Sequence, residues 1–164
     1  MTKTQITELE KIMFPKRATG YRSAQIYEKD GNVFLINSGG TFVVEFKRPE
    51  DIEYIKEHYK ISPLPDFIWN AINLDYKSLK YPYTKQKMLE FYSFKDNYGK
   101  TIIDLKVEML LDYLIDKRYL RSVLNLMRGR EIYLAYTNSP LTPLRLYSYD
   151  GYQAHICPIK RANG

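Results

Sequence analysis

Cysteine is almost absent from this 164-residue chain. Cys157 stands alone, which excludes an intramolecular disulfide framework and any multi-cysteine zinc site, and fits a reducing cytosol. Histidine is nearly as scarce. His58 has no second candidate ligand three or four residues away and reads as a surface residue. No apolar run reaches bilayer-spanning length, and the opening MTKTQITELEKIMF carries charge where a secretory leader needs an unbroken apolar core. A cytoplasmic protein with no membrane contact is the expectation. Glycine is also sparse, eight residues against sixteen tyrosines and seven phenylalanines, a balance that favours half-buried strand and helix faces where a ring packs and a hydroxyl reaches water. That is the signature of an α+β protein.

The charge is lopsided without being extreme: 25 basic and 19 acidic residues give a formal +6. Such a field favours encounter with polyanions but defines no site. The length suits one domain with a sizeable core, perhaps interrupted by an insertion.

In chain order, Ile6, Leu9, Ile12 and Met13 fall at helical spacing, with Glu8, Glu10 and Lys11 between them, and Pro15 ends the helix. Period two follows. Ala24 and Ile26, Val33 and Leu35, and Phe42 and Val44 mark three short strands separated by turns at Asp30-Gly31 and Ser38-Gly39-Gly40. The glycine pair lacks the Lys-Ser/Thr ending of a phosphate loop, so a turn is expected. Pro49 opens a short helix with Ile52, Ile55 and Tyr59 inward. Ser62-Pro63-Leu64-Pro65 breaks the chain, and Asp66 suits an N-cap for a helix in which Phe67, Ala71 and Leu74 share a face. Trp69 reads as a buried anchor, with a partner contact as the alternative. The segment from Tyr76 to Lys87 interleaves rings and lysines, a mixture that suits either base stacking or a solvated linker. Gly99 marks a hairpin between Met88–Phe94 and Thr101–Leu105.

From Val107 to Ile115 the pattern fits both helix and strand. On a helix, Asp104, Glu108 and Asp112 would align three carboxylates for a divalent metal, and a metal-dependent nuclease is one function this allows.

The best-defined helix comes next. Asp116 is its N-cap, Leu120, Val123, Leu124 and Met127 form its apolar stripe, and Gly129 stops it. The other face offers Lys117, Arg118, Arg121 and Asn125, with Arg128 and Arg130 following, and residues 117–130 contain no acid. Cations without offsetting acids contact phosphates but do not read bases. Glu131–Tyr136, Leu144–Tyr149 and Tyr152–Ile159 then alternate as three strands, with turns at Asn138-Ser139-Pro140 and Asp150-Gly151. His155 and Cys157 share a strand face. Without an orienting acid or an oxyanion hole they read as a core cysteine beside a histidine, and no catalytic role is expected.

The order strand, helix, three strands, written as YLIDKRYLRSVLNLM, REIYLAYTNSPLTPLRL and DGYQAHICPIKR, resembles the last half-domain of a bacterial DNA sliding clamp, the processivity subunit of replicative polymerase. Ile156-Cys157-Pro158-Ile159-Lys160 is similar to that family's closing apolar, Met-Pro, apolar, Arg pattern. Tyr119 matches its early helix tyrosine, and Ser139-Pro140 its turn before the penultimate strand. The resemblance implies a single clamp-like domain in which helix plus three strands occurs twice. Residues 1–47 would form the first half, 48–108 an inserted helical and hairpin segment, and 109–161 the second half.

It implies further that the helix with Lys117, Arg118, Arg121, Asn125, Arg128 and Arg130 faces the backbone of double-stranded DNA. Tyr119, Pro143, Cys157, Pro158 and Ile159 would line an apolar pocket for replication proteins or their clamp-binding peptides. The family is non-enzymatic and needs no cofactor. Its chains hold three such domains, so a ring made from this one would take several copies, which makes a homo-oligomer an expectation. A phage or mobile-element origin fits the short chain. A decoy that occupies host replication proteins through the same pocket, without DNA, is the second reading.

Overall fold

The structure, a computed structural model, describes residues 1–15, 24–108, 111–128, 130–139 and 141–159. Among these residues lie five helices and eleven strands in two sheets. Helix α1 (Lys3–Met13) begins at Thr2, whose hydroxyl accepts from the Gln5 amide N–H at 3.2 Å while the Gln5 side chain accepts from the Thr2 N–H at 2.8 Å. This reciprocal cap satisfies two of the donors that a helix start leaves open.

Strands β1 (Gln25–Lys29), β2 (Asn32–Ile36) and β3 (Phe42–Phe46) form an antiparallel meander. Asp30 and Gly31 both take positive φ, 51° and 82°, the backbone a two-residue hairpin needs to match strand twist. Near the other end of the chain, α5 (Lys117–Leu126) leads into β9 (Tyr133–Tyr136), β10 (Leu144–Ser148) and β11 (Tyr152–Ile156), again an antiparallel meander. The two meanders fuse where β3 pairs with β11 from Phe42↔Ile156 to Phe46↔Tyr152. The six strands therefore run β1-β2-β3-β11-β10-β9, the order expected when helix plus three strands occurs twice.

Both long helices cover one face of that sheet. Leu9 of α1 and Leu120, Val123 and Leu124 of α5 are fully or almost fully buried against Val33, Leu35, Val44, Leu134, Leu146 and Ala154. The apolar stripe of α5 follows its sequence spacing, and Asp116 caps it by accepting from the Arg118 amide at 2.9 Å. One detail of α5 differs from the sequence reading: the helix ends at Leu126 with Met127 as C-cap, where the Lys85 ammonium donates to the Met127 carbonyl, and the expected stop at Gly129 lies outside the described residues. In α1, Glu8 is buried, facing α5 and accepting from the Asn125 amide at 3.4 Å.

The middle of the chain is woven into the same body. Helix α2 (Pro49–His58) buries Ile55, and β4 (Ser62–Pro63) adds a short parallel strand to β1. Helix α3 (Asp66–Ile72) lies on the outer sheet face, away from α1 and α5. It uses Ile68, Trp69 and Ile72 against Phe34 and Val43, leaving Phe67 and Ala71 exposed. The expected face of Phe67, Ala71 and Leu74 is thus not the packed one: the helix ends at Ile72, before Leu74, and Asp66 lies inside its first turn, with Pro65 as N-cap. Trp69 is half-buried, edge-on to Phe34 at 6.4 Å, with the Lys29 ammonium 5.1 Å over its ring. Strand β5 (Lys77–Ser78) extends the other sheet edge along β9, and α4 (Lys85–Leu89) buries Met88.

The second sheet is β6 (Ser93–Lys95), β7 (Thr101–Glu108) and β8 (Leu111–Asp116), with Gly99 at φ 77° in the turn. The segment that fitted helix and strand alike is strand. Asp104 and Glu108 lie on β7 and Asp112 on β8, paired antiparallel with a register shift between Lys106 and Glu108. No helical face aligns these carboxylates, and the nuclease reading loses its basis.

Candidate functional site

The six residues expected to face a polyanion divide into free and engaged groups. Arg121 is exposed and Lys117 half-exposed on α5, and among the described residues neither meets a carboxylate at ion-pair distance. Arg118 is also solvent-facing, but its Nη2 lies 2.9 Å from Asp116 Oδ2 and its guanidinium 5.5 Å from the Tyr119 ring. Burial pushes the Asp116 carboxyl up, yet the side-chain and backbone hydrogen bonds from Arg118 outweigh it and hold the group below its ordinary value. Asn125 is occupied by Glu8. Arg128 follows the helix near Lys85, and Arg130 lies apart, beside Tyr149 and Asp150 at the β10–β11 turn.

Lys85 was not legible as part of this surface. It sits in a segment remote in sequence, and only the packing of α4 beside α5 places it there. Burial and the Arg128 charge lower its pKa.

The five residues expected to line a partner pocket do not converge on one cavity. Pro143 and Cys157 line a cavity of about 460 Å³ on the outer sheet face, closed on one side by α3. Tyr119 is on the opposite side of the sheet, half-buried with its ring 6.1 Å from Phe42, and Phe42 itself reaches the cavity. The backbone N–H of Ile159 donates to the Leu114 carbonyl at 2.6 Å, while Pro158 is half-buried between these points. Cys157 is exposed rather than a core residue, because β11 ends at Ile156.

His155 is the buried member of the pair, 2% exposed, and it lines the cavity. Its Nε2 accepts from Arg145 Nε at 3.0 Å. The Arg145 guanidinium in turn lies 4.0 Å from the centre of the Tyr76 ring. Burial, with the Arg145 and Lys47 charges, pulls the His155 pKa down to about 3, and burial pushes Tyr76 up to about 12. Beyond them, buried Glu45 accepts from Asn32 at 3.0 Å and from Gln153 at 3.2 Å, and desolvation raises its pKa. Nothing in the sequence singled out this polar stripe, because Arg145 and His155 occupy alternate positions of strands that also carry Ser148 and Gln153.

These two helices on one face of a sheet made of two fused meanders define a clamp-like domain fold. No protein-family model and no curated protein matches the sequence. Solved structures do match. The chain is similar to the beta subunit of DNA polymerase III from Thermotoga maritima, at 12% identity over 98% of this chain and 65% of that one, with a TM-score of 0.53. It is also similar to the beta subunit of DNA polymerase III from Borrelia burgdorferi, solved in complex with a natural product, at 12% identity over 95% and 62% of the two chains, with a TM-score of 0.43. The chain therefore spans slightly less than two thirds of the length of these proteins, and the likeness is one of fold.

Proposed function

We propose that the chain is a non-enzymatic, clamp-like protein of DNA replication that lies on the phosphate backbone of duplex DNA through α5 and engages a replication protein at the edge formed by the end of β11. The observation that carries this reading is the face of α5. Leu120, Val123 and Leu124 bury one side, while Lys117, Arg118 and Arg121 stand on the other with Arg128 beyond the helix end. Arg121 and Lys117 are the free charges, so they carry most of the affinity, and Arg118 contributes less because Asp116 already neutralises it.

The proposed partner seat takes Pro143 and Cys157, which line the cavity with Phe42, and Tyr119, whose ring packs on Phe42, together with Pro158 and Ile159, which follow Cys157 in the chain. Fluorescence anisotropy with a labelled duplex at low salt tests the first half. The joint substitution Lys117→Glu with Arg121→Glu is expected to abolish binding, and unchanged affinity would remove the proposal. Retention of a replication protein from a bacterial lysate after nuclease treatment, with no duplex affinity, would replace it by the decoy reading.

A further inference from the structure

We propose that the β6–β7 hairpin is a contact for single-stranded nucleic acid, with Tyr92 and Tyr98 stacking on unpaired bases and Lys95 and Lys100 meeting phosphates. This rests on reading α5 as the DNA face, and it names the form of DNA the surface takes: a duplex with a single-stranded extension.

The first support is where the open rings fall. Nine large apolar or aromatic side chains stand exposed among the described residues, and three of them, Tyr92, Phe94 and Tyr98, belong to this one hairpin. Tyr98 is 88% exposed and Tyr92 72%, and the Tyr92 and Phe94 ring centroids are 6.5 Å apart. The neighbouring Phe91 is half-buried, edge-on to Tyr83 at 5.1 Å, so the core seats that ring and leaves the next three to solvent. Open rings grouped in this way mark a binding surface, and a ring face accepts any base. The tip is also held in shape. Asp96 Oδ1 accepts from the Tyr98 N–H at 2.9 Å and the Lys100 N–H at 2.8 Å, the Asp96 N–H donates to the Lys100 carbonyl at 2.9 Å, and Gly99 takes φ 77°. Tyr98 is therefore presented from a fixed backbone, which lowers the ordering cost of stacking. The tyrosine- and lysine-rich segment from Tyr76 to Lys87 supplies only Tyr81 as an exposed ring, because Tyr76 lies on Arg145 and Tyr83 on Phe91.

The second support is charge and position. Lys95 and Lys100 flank Tyr98, both are exposed, and among the described residues neither meets a carboxylate at ion-pair distance. Asp96, the one acid between them, is engaged by the N–H groups of the tip. The hairpin also adjoins the proposed duplex face. Ile102 pairs with Asp116, the N-cap of α5, which sets the turn beside the first turn of the helix. There the Lys100 charge reaches Asp116 and the Asp96 charge reaches Arg118. A strand leaving a duplex at the Arg118 end of α5 meets rings and cations together, the combination that holds single strands.

Fluorescence anisotropy at low salt with the whole protein tests this. The probes are one labelled duplex with blunt ends, the same duplex with a 5′ or a 3′ extension of about 10 nucleotides, and the same extensions made abasic. One polarity of extension is expected to tighten binding about 5- to 100-fold over the blunt duplex, the worth of stacking one base, and the abasic version to lose most of that gain. Tyr98→Ala should remove the gain, and Tyr98→Phe, which keeps the ring, should retain it. Equal affinity for blunt and extended duplexes, an abasic extension as good as a natural one, or a gain that survives Tyr98→Ala would overturn the inference and leave the α5 face standing. If the blunt duplex is not bound, the reading of α5 fails on its own. A free single strand whose binding is lost in Tyr98→Ala would then still support the hairpin contact, and no binding of the single strand would overturn that as well.

Discussion

Gln5 and Tyr152 are 147 residues apart in sequence and 3.1 Å apart in space, with the Gln5 amide donating to the tyrosine oxygen. The same amide nitrogen donates to the Leu126 carbonyl at 2.9 Å, and the Tyr152 hydroxyl donates to Asp51, whose carboxylate lies 3.6 Å from the Met1 ammonium. One buried network thus ties α1, α2, the end of α5 and β11, the elements whose meeting places the two helices on the sheet. Burial and the Asp51 hydrogen bond push Tyr152 up to about 12.

Removing the Tyr152 hydroxyl leaves Gln5 and Asp51 buried and short of a partner. Tyr152→Phe is expected to cost about 1–3 kcal/mol in urea unfolding, with little change in the denaturant slope. Stability equal to the unsubstituted protein would mean that the network contributes little.

Packing between α5 and the sheet is tested by Leu120→Ala. Leu120 is fully buried beneath the proposed DNA face, and its truncation is expected to cost about 2–5 kcal/mol. The loss should appear in thermal unfolding, because the cavity opens in the shared core.

Two carboxylates give pH dependence of opposite sign. Asp116 has its pKa lowered by Arg118, so its stabilisation is present above the unfolded value of about 3.9 and is lost as pH falls through the folded value. Glu45 is raised, chiefly by desolvation. It favours the fold most below the unfolded value of about 4.3, and this contribution is lost as pH rises through the folded value. Carbon-13 NMR titration of the two carboxyls should find Asp116 below and Glu45 above those values. Asp116→Ala should also cost about 0.5–2 kcal/mol near neutral pH as a lost helix cap.

What was legible in the sequence is local. The apolar stripe of α5, its Asp116 cap and the Asp30-Gly31 and Asp150-Gly151 turns follow from spacing and backbone preference, and the structure places them as expected. The ambiguous run before α5 was not decidable, because a strand alternating Leu111, Tyr113 and Ile115 also carries apolar residues at helical spacing; pairing with β7 settles it. Joining of β3 to β11 depends on residues more than a hundred positions apart, which periodicity does not encode. The cavity is harder still. It needs α3 folded over the outer face and Arg145 brought beside His155 by strand register, so neither residue stands out until both strands are paired.

The most direct test of the central claim is the salt dependence of duplex binding by anisotropy, with two duplexes of unrelated sequence. Affinity is expected to be equal for both and to fall linearly on a log–log plot with a slope of about −2 to −4, as for two to four phosphate contacts, becoming shallower by about 1 in Arg121→Ala. No measurable binding at about 50 mM salt, or a slope unaffected by Arg121→Ala, would contradict a DNA-facing α5.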